Sequence, residues 1–378
     1  RDHMLALAAL VARLTGLPLT AGNRVQVLSA ADAFDAMLVA VTEAQESVYL
    51  CTYIFGNDLA GRRMLAALES ACRRGVRVRV LVDGMGLLYS FPTIRRQLRR
   101  RGIPHARFLH SVAPWRMPYM NMRNHRKILV VDRRLGFTGG MNLRAGYLSD
   151  PPASHDLHFR VEGPVVGHLL HSLAADWHFT TGELLDDAYR GPAVVGPVLA
   201  RGISAGPDAD FEKRRLTLLA AIGRAEQEIR ILTPYFVPDQ TLQMALHLAC
   251  LRGVRVRILL PQQNNLRIVH WASMHILPWL IERGCEVALS VGAFDHGKMM
   301  TVDGQWALVG SGNWDARSLR LNFEFDMECY DPTLAAELNH CFDVRAANAL
   351  PVTANQMAGW GTARRIRHAL AHMLEPYL

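Results

Sequence analysis

Two histidine–lysine pairs carry the clearest chemical signal in the sequence. His125-Arg126-Lys127 with Asp132, and His296-Gly297-Lys298 with Asp303, both read H-x-K-x-x-x-x-D. Seventeen residues after each histidine stands an asparagine that closes a glycine-rich turn, Gly139-Gly140-Met141-Asn142 in one case and Gly310-Ser311-Gly312-Asn313 in the other. The chain holds 16 histidines. With lysine and aspartate each at roughly one residue in twenty, chance supplies only about 0.04 such matches. Two matches followed by the same turn and the same asparagine offset are not accidental.

On a strand, residues two apart point to the same side, so the histidine and lysine of each motif are expected to project together. Two such pairs meeting at one pocket suit a phosphodiester. An unprotonated imidazole can attack phosphorus, while a protonated one gives its proton to the leaving alkoxide and later takes one from the incoming hydroxyl. Their titrations would be coupled. Lys127 and Lys298 can serve as point charges for phosphate without a metal. Together with Asn142, Asn313, Gly140 and Ser311 they are the expected phosphate ligands, stabilising the extra charge of a pentacoordinate transition state. An acid on the far nitrogen of each ring would fix its tautomer and support the imidazolium. Asp156 and Glu324 sit in matching places after the two asparagines. Tyr53 and Tyr235, with Phe236, are the expected pocket border.

These residues lie in a chain that is written twice. Leu50-Cys51-Thr52-Tyr53-Ile54-Phe55 answers Leu232-Thr233-Pro234-Tyr235-Phe236, and Arg74-Gly75-Val76-Arg77-Val78-Arg79-Val80-Leu81 answers Arg252-Gly253-Val254-Arg255-Val256-Arg257-Ile258-Leu259. The second pair reads as a helix closing at glycine and then a strand alternating arginine with valine, one face of which must be wet or charge-paired. Ile128 to Val131 and Met299 to Val302 read as short apolar strands, each returning through a turn to a second strand. Helices are expected near 31–44, 59–74, 165–177, 212–226 and 239–251, with a docking helix at 363–374. The fold class expected is therefore α/β, with two pseudo-twofold lobes, each a mixed sheet flanked by helices, and the site between them. The expected divisions are an N-terminal helix in 1–22, a first lobe in 23–195 and a second in 196–378, linked through the Gly/Pro-rich stretch 191–207.

The composition narrows the partners. A net charge of +8 suits an anionic substrate or surface. Interleaved stacking aromatics on a basic groove are not evident, so nucleic acid is not the expected partner. The six cysteines at 51, 72, 250, 285, 329 and 341 form no C-x-x-C pair, which removes the common zinc and redox spacings. Mean hydropathy is near zero, and the apolar segment Met4 to Leu14 is too short to span a bilayer. The aromatic and basic loop Pro114 to Met120 could seat at a lipid interface or pack over the first lobe. Gly292 to Lys298 resembles a P-loop, but Met299 follows where Ser or Thr is required.

The paired motifs with their GGMN and GSGN turns resemble the phospholipase D superfamily. Arg123-Asn124-His125-Arg126-Lys127, Thr233-Pro234-Tyr235-Phe236-Val237-Pro238-Asp239 and Asp315-Ala316-Arg317-Ser318-Leu319-Arg320-Leu321-Asn322-Phe323-Glu324 are similar to bacterial cardiolipin synthases. The resemblance implies a metal-independent, cofactor-free transfer through a phosphohistidine, with His125 as nucleophile and His296 as acid and base. It also implies that Asp132 and Asp303 of the catalytic motif are structural, bonding within their hairpins. Implied too is phosphatidylglycerol as donor and acceptor at a membrane surface. The expected location is the bacterial inner membrane, held peripherally or by a segment upstream of Arg1. A hydrolytic phospholipase, a nuclease on the same machinery, and a catalytically dead lipid-binding scaffold remain open beside this reading, as does the oligomeric state.

Overall fold

The computed structural model describes residues 2–109, 122–149 and 152–375. The aromatic loop Pro114 to Met120 lies outside them. The chain opens on α1 (Asp2–Thr15), and the first lobe then runs through β1 (Thr20–Ser29), α2 (Ala30–Glu43), β2 (Ser47–Thr52), α3 (Leu59–Arg73), β3 (Arg77–Asp83), α4 (Ile94–Arg100), β4 (His105–Phe108), β5 (Arg123–Asn124), β6 (Ile128–Val131), β7 (Leu135–Gly139), β8 (Ser154–His155), β9 (Leu157–Glu162) and α5 (Val166–Thr181). The second runs through β10 (Val198–Ala205), α6 (Lys213–Arg224), β11 (Glu228–Leu232), α7 (Gln240–Leu251), β12 (Arg255–Pro261), α8 (Arg267–Glu282), β13 (Glu286–Ser290), β14 (Phe294–Asp295), β15 (Met299–Val302), β16 (Trp306–Gly310), β17 (Asn322–Tyr330) and α9 (Pro332–Ala346). The chain then adds β18 (Leu350–Val352), α10 (Ala354–Ala358) and α11 (Thr362–His372).

One mixed sheet passes through both lobes in the order β18-β13-β12-β11-β15-β16-β17-β10-β1-β9-β7-β6-β2-β3-β4. Read outward from β10 and β1, the two sides run through the same series of strands, with β18 added at one edge. The sequence repeat is therefore a pseudo-twofold axis, and the antiparallel β1–β10 pair, Thr20 against Ala200, is its seam. Part of the stretch expected as a linker, 198–205, is thus strand β10 at the centre of the sheet.

Helices cover both faces. α5 and α9 bury Leu169, Leu173, Trp177, Leu338 and Phe342 in one core shared by the lobes. The opposite face carries two cores, one under α2 and α3 and one under α6, α7 and α8. Side-chain caps at Ser29, Asp58, Asp239 and Asp331 satisfy amides at four helix N-termini.

The Arg-Gly repeat has a local cause. Gly75 and Gly253 end their helices at φ of +84° and +87°, where a Cβ would be strained. Arg74 donates to the carbonyls of Val41 and Ala44, and Arg252 donates to those of Ile222 and Ala225. Each arginine thus ties one helix to the end of the one before it. The alternating arginines are charge-paired, Arg79 with Glu183 and Arg257 with Asp343.

The opening helix does not sit on the lobe that follows it. Met4, Leu7 and Val11 are buried with Leu218 and Ile222 of α6, in the core of the second lobe. Arg201, itself fully buried against Glu328, donates to the carbonyls of Ala8 and Leu17. A Leu7→Ala substitution should lower stability by about 3 kcal/mol through the cavity it leaves. Urea denaturation checks this, and an unchanged midpoint would mean that the helix is not part of the cooperative unit.

Candidate active site

Reciprocal exchange between the lobes places the two motifs. β5, just before His125, pairs in parallel with the start of β17, and the His125 N–H donates to the Phe323 carbonyl at 2.8 Å. β14, just before His296, pairs in parallel with β8, and the His296 N–H donates to the His155 carbonyl at 2.7 Å. Each histidine is thereby set one residue from the acid of the opposite lobe. His125 Nδ1 lies 3.0 Å from Glu324 Oε2, and His296 Nδ1 lies 2.7 Å from Asp156 Oδ2.

The H-x-K segments are not themselves strand. They form extended links before β6 and β15, shaped by side-chain turns. Asn124 Oδ1 accepts from the Arg126 N–H at 3.2 Å, and Asp295 Oδ1 accepts from the Gly297 N–H at 2.9 Å. Lys127 and Lys298 each donate back to the carbonyl of their own histidine at 2.6 Å. The lysines differ at the rings. Lys298 Nζ lies 3.1 Å and 3.3 Å from the two nitrogens of His296.

The hydrogen bonds of Asp132 and Asp303 go outside their hairpins rather than within them as expected, although Arg134 of the first hairpin lies 3.7 Å from Asp132. Both take left-handed backbone, with φ of 50° and 53°. Asp132 accepts from the N–H groups of Gln45, Glu46 and Ser47, and Asp303 from those of Glu226, Gln227 and Glu228. Each carboxylate caps the loop that launches the neighbouring strand, β2 or β11, which explains why the motif needs an acceptor at that spacing.

Two of the expected phosphate ligands, Gly140 and Ser311, stand beside the acids that face the rings. A Cβ at Gly140 would come within 2.3 Å of Asp156 Oδ1, so glycine there leaves room for the acid. Ser311 donates to Glu324 Oε2 at 2.5 Å and accepts from the Phe325 N–H. Both positions lie against the orienting acids. Asn142 Oδ1 accepts from the Ile54 N–H, and Asn313 Nδ2 lies 3.3 Å from Ser318 Oγ, while Asn313 Oδ1 is buried without a partner. The Tyr53 ring stands edge-on to His125 at 5.1 Å and the Tyr235 ring edge-on to His296 at 6.0 Å. Phe236, by contrast, is fully buried core against Trp314.

The side chains of the motif residues and their acids are all buried, and burial sets their titration. It lowers His296 to about 4, with Lys298 pushing the same way and Asp156 opposing. It lowers His125 too, and there the main counter-influence is the charge of Glu324. Lys127 is brought down to about 7 by burial, against Glu324, and Lys298 is lowered by burial as well. Burial alone would raise Glu324, yet His125, Lys127 and Ser311 hold it down to about 2. Lys298 acts on His125 and Lys127 on His296, so the two motifs share one electrostatic site.

Several supporting residues carried no sequence signal. Arg126, the variable residue of the first motif, is buried between Asp176 and Ser204 and donates to the Glu324 carbonyl at 3.1 Å. Ser318 donates to Glu324 Oε1 at 2.9 Å. Arg214, paired with Asp326 at 2.5 Å, donates to the carbonyls of Gly312 and Asn313 and fixes the second turn. A Cβ at Gly312 would come within 2.1 Å of Arg214 Nε, which accounts for the glycine. Among the described residues no cluster of His, Cys, Asp or Glu could hold a metal, and no helix is long and apolar enough to cross a membrane.

Residues 37–176 and 218–345 match the family model described as "Cardiolipin synthase, PLD-like domain". The chain is 33% identical over 374 residues to cardiolipin synthase A of Pseudomonas putida, covering 97% of this chain and 77% of that protein. It is 31% identical over 389 residues to the cardiolipin synthase of Geobacillus sp., covering 100% of this chain and 77% of that protein. Its fold matches the crystal structure of phosphatidylserine synthase from Haemophilus influenzae Rd KW20 with a TM-score of 0.77, at 15% identity and full coverage of both chains.

A lysine whose folded pKa is near 7 is charged below that value and loses its proton above it. An anion in the site draws the proton back. The part of the proton uptake on binding inorganic phosphate or vanadate that Lys127→Met removes should therefore be larger at about pH 8 than at about pH 6. Calorimetry in buffers of different ionisation enthalpy measures the uptake in both proteins. A difference between them that is equal at the two pH values would contradict the shift.

Proposed function

This chain belongs to the cardiolipin synthase, phospholipase D-like domain family, and from that premise we propose that it transfers a phosphatidyl group between two phosphatidylglycerol molecules, giving cardiolipin and glycerol. The observation that carries the reading is the pair of buried imidazoles, each backed by a carboxylate from the opposite lobe.

The chemistry proceeds in two displacements. One neutral imidazole forms a nitrogen–phosphorus bond as the bond to the glycerol oxygen breaks, and the other imidazole, protonated, hands its proton to that oxygen. Glycerol leaves. The second imidazole, now neutral, takes the proton of an incoming lipid hydroxyl, whose oxygen bonds to phosphorus as the nitrogen–phosphorus bond breaks. Both rings return to their starting states. Asp156 and Glu324 orient the rings and stabilise the imidazolium. Lys127 and Lys298, with the amides of Asn142 and Asn313 nearby, offset the charge that grows on the equatorial oxygens. Tyr53 and Tyr235 wall the cleft at either side.

Both substrates are bilayer lipids, so the protein is expected to work at a membrane surface, and we place it at the bacterial inner membrane. The two lobes are read as one catalytic unit, because neither holds a complete imidazole–carboxylate pair alone.

Mass spectrometry of lipids after incubation with phosphatidylglycerol vesicles should reveal cardiolipin. His125→Ala and His296→Ala should each reduce it by a factor of about a thousand or more. Phosphatidate in place of cardiolipin would favour a hydrolase. Cleavage of single-stranded DNA with no lipid product would favour a nuclease. Cardiolipin formed at wild-type rates by His125→Ala would defeat the mechanism.

A further inference from the structure

Two differences between the halves of the site change its charge. Two residues before the histidine stands Arg123 in the first motif and Phe294 in the second. Four residues after the asparagine stands Arg317 in the second lobe and Gly146 in the first. Although the arginines come from different lobes, the cross-lobe exchange brings them together. Arg123 opens β5 and lies in register with Asn322, and Arg317 opens the turn Arg317–Leu321 that delivers Asn322 to the sheet. Burial lowers the proton affinity of Arg317 and so does Arg123, against Asp315, Tyr53 and Tyr89. Arg317 acts on both Tyr53 and Tyr89, and Arg123 on Tyr53; the ring of Tyr89 lies 5.9 Å from that of Tyr53, itself edge-on to His125. Both arginines are partly exposed. At the other end, the Phe294 ring lies 5.8 Å from His296 and 6.3 Å from Tyr235. One end of the cleft is cationic, and the other is aromatic.

A pair of guanidiniums is matched to a phosphate, which each can grip through two N–H groups. When one phosphatidylglycerol is transferred to another, the first phosphate is the one under attack. The second belongs to the acceptor and lies one glycerol bridge away. We propose that Arg123 and Arg317 form the subsite for the phosphate of the acceptor lipid, so that an anionic phospholipid is selected over water or a neutral alcohol. This rests on the phosphatidyl-transfer reading above.

The test is a competition. The full chain is incubated with phosphatidylglycerol vesicles and ethanol, and cardiolipin, phosphatidylethanol and phosphatidate are quantified by mass spectrometry. In Arg123→Gln and Arg317→Gln the ratio of cardiolipin to phosphatidylethanol should fall about tenfold or more, as expected for losing a charged hydrogen bond to an anion. An unchanged ratio, with both products falling together or neither falling, overturns the subsite. A wild-type protein that makes neither cardiolipin nor phosphatidylethanol would instead refute the transfer reading itself.

Discussion

The structure depends on a reciprocal exchange of two very short strands. β5 pairs with β17 and β14 pairs with β8, only two residues a side, yet these pairings align a ring from each lobe with a carboxylate from the other. A one-residue slip would turn each side chain to the opposite face. The register is held by more than the ladder. Asn124 and Asp295 brace the turns that carry the histidines, and they are anchored in turn by Asp176 and Arg345. The partners are opposite in sign on the two sides, so the same geometry is reached with inverted chemistry.

The buried site holds two lysines, two carboxylates and two imidazoles within one low-dielectric region. Removing any one partner would leave an uncompensated charge. Glu324 illustrates the balance, with Ser311, Ser318, Asn322 and His125 all directed at its two oxygens. Such a saturated acceptor is rigid and remains ionised. The rings beside these acids are kept neutral by burial until a phosphodiester brings negative charge. The site is therefore set electrostatically to respond to its substrate.

Much of the fold was legible because local pattern and repeat agree. The Arg-Gly closures, the strands after them and the hairpins Ile128–Val131 with Leu135–Gly139 all lie where periodicity puts them. Asp156 and Glu324 were identifiable from their matching positions. Which ring each serves was not, because the answer depends on a pairing between segments far apart in sequence. The bonds of Asp132 and Asp303 were misjudged for the same reason, since their partners are loop amides before β2 and β11. Ser311 reads as a phosphate ligand from its turn and as a brace for Glu324 once the opposite strand is in place. Helix α8 escaped notice because Pro278 lies inside it, and Arg126 because one buried arginine in a basic chain resembles a solvated one.

The placement of α1 bears on how the molecule is made. A ribosome releases Met4, Leu7 and Val11 long before α6, the surface that buries them, has been synthesised. While the first lobe collapses around its own sheet, the opening helix keeps a greasy face without a home, and Thr20 waits for β10. Docking of α1 is thus a late event that joins it to the second half of the chain. A translation product cut short before α6 would keep that adhesive face, marking it for chaperones or proteases.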